Sequence, residues 1–388
     1  MDFRLKPGPH RVLTGCPWIF RGELLQHDAL PNGSVVSVTD ITGRFVGRGF
    51  YSQTSQIAVR VLSWNRATPV GSDMIRERLV RAIETRRRLY PGRDAVRLVN
   101  SEADGLPGLV VDRLGPMLVM EVLSAGLVPF QDLLVETLAT EERPTGIFER
   151  GDVAVRSLEG LERENRLVYG SLTGPVFIHE DGVSFQVDVQ HGQKTGHFLD
   201  QYENRRVAAA YAGGRDVADV FCHTGGFGLL AAKAGARSVV GVDQDAGVLA
   251  QAAGNAKQNG LDDVTTWEAA NAFDWLRAQD REARRFDMVV LDPPAFTKSR
   301  SAVPGALRGY KEINLRAFKL MNPGGVLVTC SCSYHVSLDA FIQVVGEAAH
   351  DAHRSARIIE VRGQAPDHPV HPMLPESRYL KCLIVTAD

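Results

Sequence analysis

Asp219-Val-Phe-Cys-His-Thr-Gly-Gly-Phe-Gly228 is the stretch that decides the fold. Its apolar lead-in predicts a strand over Val217–Cys222, and the Ala- and Leu-rich run from Leu229 predicts a helix immediately after. Between them, Thr224-Gly225-Gly226 lets the backbone turn sharply and approach a ligand, with helix N-terminal amides behind it. The next predicted strand, Ser238–Asp243, ends in a carboxylate 17 residues beyond Gly226. An acidic side chain there reaches the ribose hydroxyls of a bound nucleoside. Position alone suits NAD as well as S-adenosylmethionine (SAM). The spacing Gly225-Gly226-x-Gly228 departs from the Gly-x-Gly-x-x-Gly of dinucleotide folds, which favours SAM. A glycine turn without a ligand is the plain alternative.

Outward from this point, short apolar runs at Val264–Glu268, Asp287–Leu291 and Gly325–Cys330 alternate with Ala- and Leu-rich helical segments. A last strand, Tyr379–Thr386, follows a stretch containing Pro366, Pro369, Pro372 and Pro375. From about Gly182, then, the chain reads as a doubly wound parallel α/β sheet. Two strand ends carry further chemistry. Phe286-Asp-Met-Val-Val-Leu-Asp-Pro-Pro-Ala-Phe296 ends a buried strand in a rigid Asp292-Pro293-Pro294, and strand ends of such sheets line the ligand crevice. Asp292 there accepts from a substrate amino group or the SAM ammonium, with a structural turn as the alternative. Val328-Thr-Cys-Ser-Cys-Ser333 places Cys332 just past the neighbouring tip, where a thiolate acts as a nucleophile. Cys222, Cys330 and Cys382 read as buried hydrophobes. Zinc on Cys330, Cys332 and His335 lacks a fourth ligand, and no metal is expected. Asn271, after the third strand, suits reading an adenine edge or capping a helix.

The rest of the 388 residues precedes this region, enough for two or three domains. Val36 and Val38, then Ile57, Val59 and Val61, alternate as in small β structure. Ala67–Asp73 reads as a linker, and Ser72 or Asp73 as the cap of a helix from Met74 to Tyr90. Its apolar stripe is Ile75, Leu79, Val80 and Ile83, with Arg76, Arg81 and Arg86–Arg88 on a solvated face. Strands at Leu109–Arg113 and Leu118–Leu123, a helix at Phe130–Leu138, and extended segments at Gly146–Arg150 and Val153–Val155 describe a small α+β domain. Hydrophobic residues at 44% and charged residues at 23% are those of a globular protein. The first residues carry no apolar signal segment, and no apolar run approaches bilayer length. Five irregularly spaced cysteines argue for a reducing, cytoplasmic setting. Residues 1–100 hold 16 Lys/Arg against 8 Asp/Glu, a net of +8 in a chain of −2, which is compatible with a polyanion partner.

Together these motifs resemble the bacterial 23S rRNA cytosine-C5 methyltransferase family, of the large-subunit methyltransferase I type, over nearly the whole chain. Cys16-Pro-Trp-Ile-Phe20 with Tyr51–Ile57 is similar to its PUA domain, an RNA-binding module. Ser101–Gly115 and Arg150–Arg156 resemble its central domain, and Asp188–Gln201, the most family-specific stretch, leads into a class I methyltransferase domain. Arg308-Gly-Tyr-Lys311 and Ser331-Cys-Ser333 complete the match. The resemblance implies a PUA-like domain over 1–70, a central α+β domain over 71–180 and a Rossmann-like SAM domain over 181–388. It implies that Phe221, Thr224, Gly225, Gly226, Asp243, Asn271 and Asp292 hold SAM, with Phe198 and Gln201 closing over it. It assigns Cys332 as nucleophile, with Asp292 holding the base. Many RNA cytosine-C5 methyltransferases carry a second cysteine after the Asp-Pro; Pro294 and Ala295 stand there, so the group that takes the C5 proton stays open. The implied partner is 23S rRNA or the assembling large subunit, with no membrane and with a homodimer as an open alternative. A base-nitrogen methyltransferase, which needs no thiol, and a non-catalytic SAM- or RNA-binding module are the rival readings. A dehydrogenase is more distant.

Overall fold

Period-two apolar stretches in the first sixty residues become strands in the computed structural model, which describes residues 2–26 and 30–388. Met1 and 27–29, part of the 1–70 expectation, lie outside the described residues. Contacts divide the chain into two units. One comprises Met1–Ile178, Val187–Leu199 and Pro366–Ser377; the other comprises His179–Gln186, Asp200–Ala365 and Arg378–Asp388.

In the first unit, strands Asp2–Arg4, Val35–Thr39, Phe45–Tyr51, Ile57–Ser63 and Trp18–Phe20 lie side by side in that order. Phe3, Ile19, Val36, Val38, Tyr51 and Val59 fill one core, each contributing roughly 1.5–3 kcal/mol by leaving water. A second five-stranded sheet, with outer strands Arg166–Gly170 and Ala95–Asn100, packs on helices Ser72–Leu89 and Gln131–Glu142 through Leu79, Ile83, Leu98, Leu134 and Leu138. Three details differ from the sequence reading. The N-cap of the 72–89 helix is Gly71 and no side chain caps it, so neither Ser72 nor Asp73 has that role. Arg86 is 2% exposed, not solvated: its guanidinium donates to both oxygens of Asp104 at 2.6 and 2.7 Å and to the Asp367 carbonyl. Val153–Val155 does not extend; a turn leads into a short helix, Val155–Leu158. Buried Arg156 fixes it by donating to the Val122 and Glu162 carbonyls and to Glu149.

The excess of basic charge in residues 1–100 is largely met within the same unit. Arg60 pairs with Glu102 and Glu159, Arg76 with Glu136, Arg86 with Asp104, and Arg87 with Glu141 and Glu142. The +8 is therefore not a bare cationic face.

In the second unit, the predicted α/β alternation becomes a seven-stranded sheet. Its strands are β1 (Asp216–Val220), β2 (Ser238–Asp243), β3 (Thr265–Ala269), β4 (Phe286–Leu291), β5 (Met321–Ser331), β6 (Ala356–Arg362) and β7 (Lys381–Ala387). They lie in the order 3-2-1-4-5-7-6, with β7 antiparallel between β5 and β6 and the rest of the sheet parallel. Helix α1 (Tyr202–Ala209) precedes β1, and α2 (Gly226–Lys233), α3 (Ala246–Gln258), α4 (Ala272–Arg281), α5 (Val303–Leu320) and α6 (Leu338–Asp351) follow β1 to β5 in turn. Trp275, Tyr310, Ile313, Phe318 and Phe341 form one core cluster, and Ala208, Phe227, Ala231 and Met288 belong to another. The order reverses at β1 and β4, so the crevice for a ligand opens at their carboxyl ends. No helix among the described residues is long and apolar enough to cross a membrane.

Candidate active site

The tip of β1 is built from backbone that most residues avoid. Phe221, His223 and Gly225 have φ of +67°, +49° and +85°, a left-handed cluster that persists only where the surroundings hold it. A Cβ on Gly225 would come within 2.6 Å of the Trp267 ring, so only glycine fits. Thr224 is buried, with its carbonyl accepting from the Asn255 amide. Half-buried Asp243 ends β2 and joins this turn: one oxygen accepts from His223 N at 3.0 Å, the other from Asp245 N at 3.2 Å. Phe221, Thr224, Gly225, Gly226 and Asp243 thus share one turn at the ends of β1 and β2.

Beneath the turn lies a residue that sequence reasoning quoted without assigning. Asp219 is 0% exposed, with Oδ2 accepting from Gly228 N at 2.7 Å and Oδ1 without a hydrogen-bond partner among the described residues. Burial pushes its carboxyl up to about 7; the Gly228 N–H opposes this, while nearby Asp292 and Asp243 add to it. A Cβ on Gly228 would meet Asp219 Oδ2 at 3.0 Å, so this glycine permits the contact. Backbone amides at the start of α2, a buried carboxyl short of a partner and Asp243 together suit a ligand carrying an amino-acid zwitterion and a ribose diol. SAM has both.

Asn271 behaves as the helix cap that the sequence left open. Its Oδ1 accepts from Phe273 N at 3.0 Å and Asp274 N at 3.4 Å at the start of α4. Gln201, 2% exposed, donates Nε2 to Asp292 Oδ1 at 2.8 Å and is held by Asn204 Nδ2 through its own oxygen. Phe198 belongs to the 187–199 segment of the first unit, half-buried with the Lys194 ammonium 4.4 Å above its ring.

Cys332 follows directly on β5 and, unlike the other four cysteines, is not fully buried. Its Sγ donates to the Pro293 carbonyl at 3.8 Å, which sets the thiol beside the Asp292-Pro293-Pro294 turn after β4. The flanking serines are both buried and both reach the Tyr310 hydroxyl at 2.9 Å; Ser333 Oγ also accepts from Phe296 N at 3.0 Å. One α5 hydroxyl therefore braces the Cys332 backbone on either side. Cys330 lies opposite Cys382 across β5 and β7, and hydrogen bonding to Cys382 together with burial raises its thiol well above the ordinary value. Burial does the same to Cys222. Both read as packing residues. Tyr310 had its signal in Arg308–Lys311; the buried Lys381 (6% exposed) had none.

A family model described as S-adenosylmethionine-dependent methyltransferase matches residues 168–383, and one for a PUA-like domain matches residues 4–64. A protein of Shewanella denitrificans called ribosomal RNA large subunit methyltransferase I is 42% identical over 388 residues, covering 98% of each chain. Its namesake in Aeromonas hydrophila is 43% identical over 382 residues, covering 97% of this chain and 96% of its own. A solved structure from Streptococcus mutans, described as a SAM-dependent methyltransferase, superposes with a TM-score of 0.84 over 100% of both chains at 18% identity. A second methyltransferase structure, complexed with SAH, gives 0.83 over 97% of both chains, also at 18% identity. These two likenesses carry the fold.

Proposed function

Because the chain belongs to the ribosomal RNA large subunit methyltransferase I family of SAM-dependent methyltransferases, we propose that its acceptor is C5 of a cytosine in 23S rRNA, activated by covalent attack of Cys332. The observation that carries this reading is the incompletely buried Cys332 thiol, 3.8 Å from the Pro293 carbonyl and so beside Asp292. C5 of cytosine is not nucleophilic by itself. Addition of the thiolate to C6 places the electron pair at C5 as an enamine. Asp292 accepts from the exocyclic amine as a carboxylate, or donates to N3 as the acid, during this attack, and Gln201 keeps its carboxyl group in place. SAM, when bound, supplies an electrophilic methyl group on its sulfonium. Loss of the C5 proton to solvent then returns the electron pair to the ring, and Cys332 leaves as the thiolate. Phe221, Thr224, Gly225, Gly226 and Asp243 bind SAM, with Asn271 at the adenine edge and Gln201 over it.

The PUA-like match over 4–64 supports RNA contact by the first sheet, and the paired arginines mean that this contact does not rest on net charge. Reaching a thiol in a crevice requires an unpaired or flipped base, so a loop of naked rRNA or of the assembling subunit is the substrate. The division into 1–70, 71–180 and 181–388 belongs to the same proposal, supported by the two sheets of the first unit and by the two family matches.

Cys332→Ala is expected to keep SAM affinity, measured by calorimetry, and to lose methyl transfer to large-subunit rRNA. Unchanged turnover would remove the covalent route and leave a base-nitrogen methyltransferase. Mass spectrometry of the modified rRNA then names the base.

A further inference from the structure

Lys381 begins β7, directly across the ladder from Ser331. It is only 6% exposed, yet among the described residues no carboxylate pairs with it. Its ammonium donates to the carbonyl of Ser333 at 2.7 Å and to that of Tyr379 at 2.8 Å. Two neutral carbonyls compensate a buried cation poorly, and such a charge ordinarily acquires an anion or loses its proton. The first of those carbonyls belongs to the residue after Cys332, so the cation is fixed against the turn that carries the thiol.

We propose that Lys381 is the counter-ion of Cys332, holding the sulfur as a thiolate before it attacks and stabilising it again when it leaves. The resting step is a proton loss from the thiol to solvent, with Lys381 keeping its own three protons. No bond to Lys381 forms. On addition to C6 the negative charge moves from sulfur into the pyrimidine ring; on elimination it returns to the sulfur beside the same cation. A stabilised thiolate is also the better leaving group. Burial draws the Lys381 ammonium down to about 8, the charge of Cys332 opposes that fall, and Arg378 adds to it. The sulfur's charge thus favours keeping Lys381 protonated. The other titratable groups around the pair are Tyr310 of α5, which burial raises, Asp292 after β4, Cys330 of β5 and Cys382 of β7.

The proposal rests on Cys332 being the nucleophile, but its test does not need methyl transfer. The intact protein is treated with iodoacetamide across pH 5–10, and alkylation at Cys332 is followed by peptide mass spectrometry. The wild-type midpoint is expected well below the roughly 8.5 of a free thiol. Lys381→Met, which keeps an apolar stem of similar length, is expected to raise the midpoint by about one pH unit and slow alkylation at pH 7 about tenfold. Lys381→Arg is expected to keep the low midpoint, because the charge is retained. A wild-type midpoint at or above that of a free thiol overturns the proposal even if Lys381→Met fails to fold. So does an identical midpoint in wild type and a folded Lys381→Met. If the midpoint shifts as expected while Cys332→Ala remains active, the ion pair stands and the nucleophile reading fails; the reverse result separates them the other way.

Discussion

Tyr310 puts one hydroxyl between Ser331 and Ser333, and its ring packs on Phe296 at 4.5 Å and Phe341 at 5.3 Å. Tyr310→Phe keeps the ring and removes the brace, leaving buried serine hydroxyls short of a partner. We expect the urea unfolding free energy to fall by about 1–3 kcal/mol. Turnover should fall with it while SAM affinity, which we propose is set at β1 and β2, stays. At this scale the sequence was partly legible. Cys332, Asp292 and Asp243 stand out by their place at strand ends, and the structure does put them at the ends of β5, β4 and β2. Tyr310 stood in a quoted motif, but its partners lie 21 and 23 residues away, and no local pattern reports such a bond. Lys381 was invisible: a lysine at the start of a strand reads as a solvated end. Arg86 differs for a related reason, since Asp104, which neutralises it, and the Asp367 carbonyl, which accepts from it, come from distant sequence.

Elements were more legible than their ends. β2 falls on its predicted residues, and β1, β3, β4, β5 and β7 each contain most of theirs, because buried strands of a parallel sheet are continuous apolar runs. β6 escaped detection. It is an edge strand whose Ile359 and Val361 face solvent between Arg357, Glu360 and Arg362, so neither alternation nor an unbroken apolar run marks it. The glycine turn gives the prediction proper to this scale. Gly225→Ala forces a Cβ into Trp267 at a φ of +85°. The left-handed conformation alone costs roughly 1–2 kcal/mol, and moving the indole disturbs the tip of β1. SAM Kd by calorimetry should rise about tenfold, by an order-of-magnitude conversion of that cost, while Gly254→Ala, with open space at its Cβ, should leave it unchanged.

For the whole molecule, Asp219 couples the glycine turn to pH. Its folded value of about 7 lies above the ordinary 3.8 of an aspartate, so between these values the folded chain binds a proton that the unfolded chain has lost. The Asp219 contribution to stability therefore falls as pH rises from about 4 to about 7 and is level beyond, on the order of 4 kcal/mol in all. Asp219→Asn keeps an acceptor for Gly228 N and removes the titration. Denaturation at pH 5 and pH 8 should give a smaller difference in the variant than in the wild type; equal differences would show that Asp219 does not titrate in this range. Charge at this scale was the least legible property. A +8 front end looked like a footprint for a polyanion, yet Glu102, Glu136, Glu141, Glu142 and Glu159 answer its arginines from within the same unit.

The placement of β7 also fixes when the site can exist during synthesis. A chain made from its N-terminus has β1 to β6 in hand before Lys381–Ala387 emerges. Until then β5 and β6 each present an open edge where β7 will lie. The ammonium opposite Ser331 is missing for the same interval. The glycine turn and Asp243 are complete much earlier, so a growing chain has the makings of a cofactor site well before it has a finished surrounding for its thiol.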